Sequence, residues 1–193
     1  MYDCANENRP GVTQKIYTPQ EAVDFLHTLF KKRQDISVVG IAGPGDPMCD
    51  AEDTLETFRL VKASFPHVML CLSSNGLAVP EYVKDIAELG ISHVTITANA
   101  IDPEIAQHMY AFVRYNNTIY KGIEAARLLL EKQDEAIRRL KEHNVIVKLN
   151  TVVVPKVNMA HIPDIAKHAK GWGVDLMNCI PMIPVHDTPF ANY

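Results

Sequence analysis

Two glycines, two prolines and an acid stand together in Gly43-Pro44-Gly45-Asp46-Pro47, directly behind the apolar run that ends at Ala42. Glycine at 43 and 45 permits positive φ and close approach of the backbone to a ligand. Amides and carbonyls exposed in such a loop can grip a small zwitterion; the same residues also make an ordinary turn. The segment is neither a G-x-G-x-x-G fingerprint nor a P-loop, since no Lys-Ser or Lys-Thr pair follows. A second polar cluster, Ser73-Ser74-Asn75-Gly76, follows the run His67–Leu72. It suits a ligand at a strand's carboxyl end, and equally an Asx-type turn closed by glycine. Thr97 and Asn99 in TITANAIDPE, and Asn150 in KLNTVVVPKVN, repeat the arrangement at two further strand ends. One polar strand end means little; several in succession outline a rim of the kind on which barrel sites are built. Near the start, Cys4 and Glu7 in YDCANENRPG put a thiolate and a carboxylate on one loop. Both can reach iron, and the stretch reads as well as an unremarkable acidic loop.

The remaining candidates are weaker. The four cysteines, Cys4, Cys49, Cys71 and Cys179, form no CxxC pair, and Cys49 and Cys179 are expected to pack as small hydrophobes. No two of the 8 histidines make an HxxxH or HExxH pair, so His161 and His168 are expected at the surface. Trp172 is expected in packing. At 193 residues, 47% hydrophobic and 22% charged, the chain reads as one globular domain spanning 1–193. A net charge of −4 argues against a nucleic-acid or anionic-membrane surface. No apolar run reaches membrane length and the first residues do not read as a signal peptide, so cytoplasm is the expected location.

The elements that must position these residues alternate. Thr18-Pro19-Gln20-Glu21 is a capping box that opens a helix to about Gln34. Strand Ser37–Ala42, a helix from Asp50–Asp53 to Ser64, strand His67–Leu72 and helix Pro80–Leu89 follow, the last closed by Gly90. Strand Ile91–Ala98 precedes a helix capped at Asp102, and Asn117–His143 reads as one long helix. Strand Val145–Val154, helix Asn158–Lys170 and strand Val174–Pro181 complete the chain. Five strands alternating with helices imply a parallel α/β sheet with right-handed crossovers. Period-2 alternation sets Val68, Leu70 and Leu72 opposite Met69, Cys71, Ser73 and Asn75; Val94, Ile96 and Ala98 oppose His93, Thr95, Thr97 and Asn99; Val147 and Leu149 oppose Lys148 and Asn150. A flavodoxin-like sheet, buried on both faces, would read as continuous apolar runs. One polar face per strand favours a barrel lumen and places the Cys71 thiol inside it.

Together YDCANENRPGVTQKIYTPQEAV, VVGIAGPGDPMCDAEDTLETF, LCLSSNGL, HVTITANAIDPEI, KLNTVVVPKVN and IPMIP resemble the NifB-type radical S-adenosylmethionine family of nitrogenase cofactor biosynthesis, colinearly over nearly the whole chain. The resemblance implies a partial (β/α)6 radical SAM barrel of about five parallel strands with outer helices. It implies S-adenosylmethionine at Gly43, Gly45, Asp46, Ser74, Asn75, Thr97, Asn99, Asn150 and Val152. It also implies an enzyme that fuses two [4Fe-4S] clusters, with an added sulfur and a central carbide, into an eight-iron precursor. Cys4 and Cys71 correspond to ligands of a substrate cluster; Glu7 assists Cys4, and Cys71 and Glu7 are the candidate catalytic residues. Iron–sulfur cluster donors and nitrogenase cofactor carrier or scaffold proteins are the implied partners. The family's CxxxCxxC motif stands upstream of Tyr2-Asp3-Cys4, and this sequence starts at Met1 without it. The expectation is therefore a core fragment, with five of six strands and with the ligands of the radical SAM cluster outside the chain. Two other readings stand beside it: a non-catalytic fragment that binds S-adenosylmethionine or a cluster, and an unrelated flavodoxin-like α/β enzyme.

Overall fold

The computed structural model describes residues 16–43, 45–184 and 190–191. The chain runs α1 (Pro19–Lys32), β1 (Val38–Ile41), a 3-10 turn (Pro47–Asp50), α2 (Ala51–Ser64), β2 (Met69–Ser74), α3 (Val79–Glu88) and β3 (Ile91–Thr97). It continues through the short α4 (Pro103–Ala106), a hairpin of β4 (Val113–Tyr115) and β5 (Thr118–Tyr120), and the long α5 (Gly122–Glu142). It ends with β6 (Ile146–Val153), a 3-10 turn (Met159–His161), α6 (Ile162–Trp172) and β7 (Leu176–Pro181). The capping box at α1 forms as its residues dictate: the Glu21 amide donates to the Thr18 hydroxyl at 3.3 Å and the Thr18 amide to the Glu21 carboxylate at 3.0 Å.

The main sheet is parallel throughout, in the order β1-β2-β3-β6-β7. Strands follow one another without reversal, so the sheet has no topological switch point of the flavodoxin or Rossmann kind. Apolar residues of α1, α2, α3, α5 and α6 pack against Leu70, Leu72, Val94, Ile96, Val147 and Leu149, each with no exposed surface. Burying one such side chain contributes about 1.5–3 kcal/mol, and this face holds the fold together. The other face is open. Val38, Met69, Ile146 and Leu176 lie on it near the strands' amino ends, with 46, 45, 40 and 54% of their surface exposed. Cys71, Ser73, His93, Thr97, Lys148 and Asn150 follow toward the carboxyl ends, all half-buried. This is one layer of helices on a sheet that winds in a single direction, the wall of a partial barrel.

One expected element changes. The helix expected over 117–143 begins only at Gly122, because Asn116 and Asn117 adopt φ of 47° and 60°. Two consecutive left-handed residues close the two-residue turn of the β4–β5 hairpin, paired Tyr115 to Thr118. Asparagine tolerates that conformation better than most residues, which makes Asn-Asn a hairpin signal.

Candidate functional site

The glycine loop and the serine–asparagine loop are joined by one carboxylate. Asp46 caps the 3-10 turn by accepting the Met48 amide at 2.9 Å. The same carboxylate accepts the Ser74 hydroxyl at 2.9 Å and the Asn75 amide. Ser74 is buried and its oxygen also accepts the Gly76 amide at 3.1 Å. Asp46 and Ser74 therefore fix the exits of β1 and β2 against each other. Gly45 has φ +84°, and a Cβ placed at Gly43 or Gly45 would meet no atom of a described residue within 4 Å. The described residues thus leave Gly43 and Gly45 unobstructed, and Asp46 holds the loop from behind.

The next two strand ends are tied in the same manner. The Asn99 carboxamide accepts the Val152 amide at 2.9 Å and donates to the Tyr110 hydroxyl at 3.2 Å. Burial pushes that hydroxyl's pKa up to about 12, so it stays protonated. Asn158, fully buried, donates to the carbonyls of Asn99 and Val152 at 2.8 Å each and accepts the Val154 amide at 2.7 Å. Thr97 and Asn150 sit side by side in register, half-buried on the open face, and Asn150 accepts a 3.3 Å bond from Asn178. Among the residues expected at the rim, Asp46, Ser74 and Asn99 spend their side chains on the scaffold. Gly43, Gly45, Thr97 and Asn150 present groups to the open side, while the Asn75 carboxamide oxygen accepts the Leu77 amide at 2.8 Å and turns its own loop.

Sequence reading missed Gln133. Its amide nitrogen donates to the carbonyls of Asn75 at 2.7 Å and Thr97 at 2.9 Å, bridging the exits of β2 and β3 from behind. A signal existed: Gln133 interrupts the buried stripe Ala126, Leu129, Ala136, Ile137 and Leu140 of α5. His161 was expected at the surface, yet its side chain is 10% exposed and its Nε2 accepts the Ile101 amide at 3.3 Å. Ile101 follows the Thr97–Ala100 exit, which explains why a ring there is drawn inward.

Deeper on the open face lies Cys71, in register with His93 on β3. Burial pushes its thiol pKa up, while the Lys148 ammonium and a hydrogen bond with Thr95 act in the opposite direction. Cys49 and Cys179 do not pack as expected; both are exposed. Cys49 stands in the 3-10 turn at the rim, where burial and the carboxylates of Asp46 and Asp50 raise its pKa. Cys179 is on β7, the edge strand of the sheet among the described residues. Cys4 and Glu7 lie outside the described residues, among which no three His, Cys, Asp or Glu side chains gather into a metal-binding set.

Two concavities flank these elements. The smaller, about 210 Å³, adjoins the rim between Asp46, Cys49, Asn75 and the hairpin residues Arg114 and Tyr115. The larger, about 710 Å³, is on the helix side between Ile101, Asp102, Arg138, His161, His168 and Trp172, and of the strand exits considered above it touches that of β3, at Ile101. Size favours the second; convergence of strand ends favours the first, and in parallel α/β folds ligands sit at strand ends.

The Radical SAM superfamily pattern matches residues 4–169, most of the chain. The chain belongs to the radical S-adenosylmethionine superfamily. It is 46% identical over 191 residues to the FeMo cofactor biosynthesis protein NifB of Chlorobaculum tepidum, covering 99% of this chain and 45% of that protein. It is 41% identical over 182 residues to the NifB protein of Methanocaldococcus jannaschii, covering 94% of this chain and 60% of that one. The chain thus spans about half the length of these curated relatives. Among solved structures, native anSMEcpe with bound AdoMet superposes with a TM-score of 0.68 at 12% identity, covering 97% of this chain and 48% of that one. Methylornithine synthase (PylB) superposes with a TM-score of 0.64 at 16% identity, covering 93% and 48%. The radical SAM barrel is therefore the fold, and the flavodoxin-like reading is set aside by the unreversed strand order and the open face.

Proposed function

We propose that this chain is the S-adenosylmethionine-binding core of a NifB-type radical SAM enzyme, acting in nitrogenase cofactor biosynthesis. One observation carries the reading: the glycine loop, the Ser74–Gly76 turn, and the paired Thr97 and Asn150 lie at the carboxyl ends of adjacent strands. Open backbone at Gly43 and Gly45 suits the amino and carboxyl groups of the methionine moiety. Thr97 and Asn150 supply neutral donors and acceptors for the nucleoside hydroxyls. Asp46, Ser74, Asn99 and Gln133 hold the loops, so the site is preorganised before a ligand arrives. The donors fit S-adenosylmethionine. They do not fit the resident [4Fe-4S] cluster, which needs thiolates that the described residues do not assemble.

S-adenosylmethionine and a [4Fe-4S] cluster are the cofactors of this reading, and together they supply 5′-deoxyadenosyl radical chemistry. The finer reaction comes from the resemblance: fusion of two [4Fe-4S] clusters with insertion of a carbide. In it, Cys71 is a ligand of a substrate cluster, and Cys4 with Glu7 completes that set. The reading includes cluster-donor and cofactor-carrier proteins as partners and a cytoplasmic location. No helix among the described residues is long and apolar enough to cross a membrane.

The test is calorimetry of S-adenosylmethionine binding to the wild-type chain and to Gly43→Val. Gly45→Val would confound ligand block with backbone strain, because Gly45 is left-handed. Gly43 is not, it has open space, and it precedes Pro44, where extended backbone suits valine. The expected result is weak, millimolar-range binding by the wild type, lost in a Gly43→Val chain that unfolds at an unchanged urea midpoint. Equal binding by both would remove the ligand from this loop.

A further inference from the structure

Lys148 is the only lysine, arginine, aspartate or glutamate in the five strands of the main sheet. It is half-buried on the open face, in register with Thr95. It makes no hydrogen bond or ion pair with a described residue. None of the strand residues that share its face is acidic. The imidazole on that face, His93, has its Nδ1 2.8 Å from the Ser92 hydroxyl. An ammonium without an ion-pair partner remains available to a ligand that brings negative charge. It lies on the face that carries one thiol, Cys71, two strands away across β3, and its charge acts on that thiol.

We propose that Lys148 is the fixed positive charge that draws an anionic ligand to Cys71 and holds it there, the ligand being a thiolate-bound iron–sulfur cluster. The proposal rests on the reading of Cys71 as a substrate-cluster ligand and adds the group that recognises the cluster's charge. Thiolate-ligated clusters carry net negative charge, and both their retention and their potential respond to nearby charge and to hydrogen bonds at sulfur. The carboxylate of S-adenosylmethionine is the other anion at hand. Lys148 lies deeper than Asn150, two positions inside the rim on the same strand, which favours the cluster.

Lys148 can be tested without any cluster. The chain is alkylated with a mixture of anionic iodoacetate and neutral iodoacetamide, and each cysteine's product ratio is read by peptide mass spectrometry. In both reactions the thiolate sulfur forms the S–C bond and iodide leaves, so the ratio cancels the ionised fraction and reports the local field. At Cys71 the iodoacetate share should exceed that of glutathione by at least about threefold at low salt. Lys148→Met should bring it down to the glutathione value, and Lys148→Arg should keep it. Cys49, between Asp46 and Asp50, should fall below glutathione in every variant. A Cys71 ratio unchanged in Lys148→Met overturns the proposal.

Anaerobic iron–sulfur reconstitution then identifies the occupant. Lys148→Met should lose the iron that Cys71→Ala also loses, Lys148→Arg should keep it, and S-adenosylmethionine affinity should be the same in all. Lost S-adenosylmethionine affinity with iron retained would overturn the cluster as occupant. Equal iron in wild type and Cys71→Ala, with the alkylation preference intact, would overturn the ligand role of Cys71 in the proposed function while leaving the field of Lys148 demonstrated.

Discussion

At the scale of single residues, Asp46 shows how an acid in the proposed ligand loop can serve the loop. Its oxygens take the Met48 amide, the Ser74 hydroxyl and the Asn75 amide, so Asp46→Ala strands three donors, one on a buried serine. A loss of about 1–3 kcal/mol is expected by urea unfolding, with S-adenosylmethionine binding lost in parallel. Ser74→Ala should cost less, because the carboxylate keeps its two amides. The inward direction of Cys71 was legible, since period 2 fixes a strand's faces and Leu70 and Leu72 are fully buried on the other side. The roles of Asp46 and Asn99 were not legible. Their decisive partners, Ser74 and Val152, stand 28 and 53 residues away, and no local pattern encodes such pairs. The exposure of Cys179 was missed for a related reason: which strand lies at the sheet's edge is a property of strand order.

At the scale of elements, α5 acts as a brace. Gln133 reaches through the core to two strand exits, and a Cβ at Gly76 would come within 3.0 Å of the Gln133 Cγ and 3.2 Å of Ile96. Gly76 itself has φ +88°, so the turn needs glycine twice over. Gln133→Leu keeps the packing but leaves the Asn75 and Thr97 carbonyls unpaired. A loss of about 2–3 kcal/mol is expected in urea unfolding, with faster amide exchange confined to the exits of β2 and β3. The strands and most helices were readable from capping boxes, periodicity and terminal glycines. The β4–β5 hairpin was not, because its strands have three residues each and the helical pattern of α5 masked the Asn116-Asn117 turn.

For the molecule as a whole, the packing that stabilises the fold and the proposed site sit on opposite faces of one sheet. The helix side is cross-tied by acids: Asp134 accepts from Arg138 and the Trp172 indole, and Asp175 accepts from Lys141 at 2.6 Å and the Val147 amide at 2.8 Å. The Arg138 hydrogen bond leads in holding Asp134 below the ordinary 3.8; for Asp175 burial opposes, and Lys141 with the Val147 amide outweighs it. Both folded-state values are depressed, so these ties are fully present above pH 3.8 and are lost as pH falls through the lower folded values. The urea midpoint should therefore drop below about pH 4, and Asp175→Asn should flatten part of that drop. The open face contributes little to this ledger, which leaves it available for ligand. Hydrogen–deuterium exchange with and without S-adenosylmethionine tests the central claim most directly. Ligand should slow exchange in peptides containing Gly43–Asp46, Ser73–Gly76, Thr97–Asn99 and Asn150–Val152, and leave the groove of Arg138, Lys167, His168 and Trp172 unchanged. Protection confined to that helix-side groove would contradict the account.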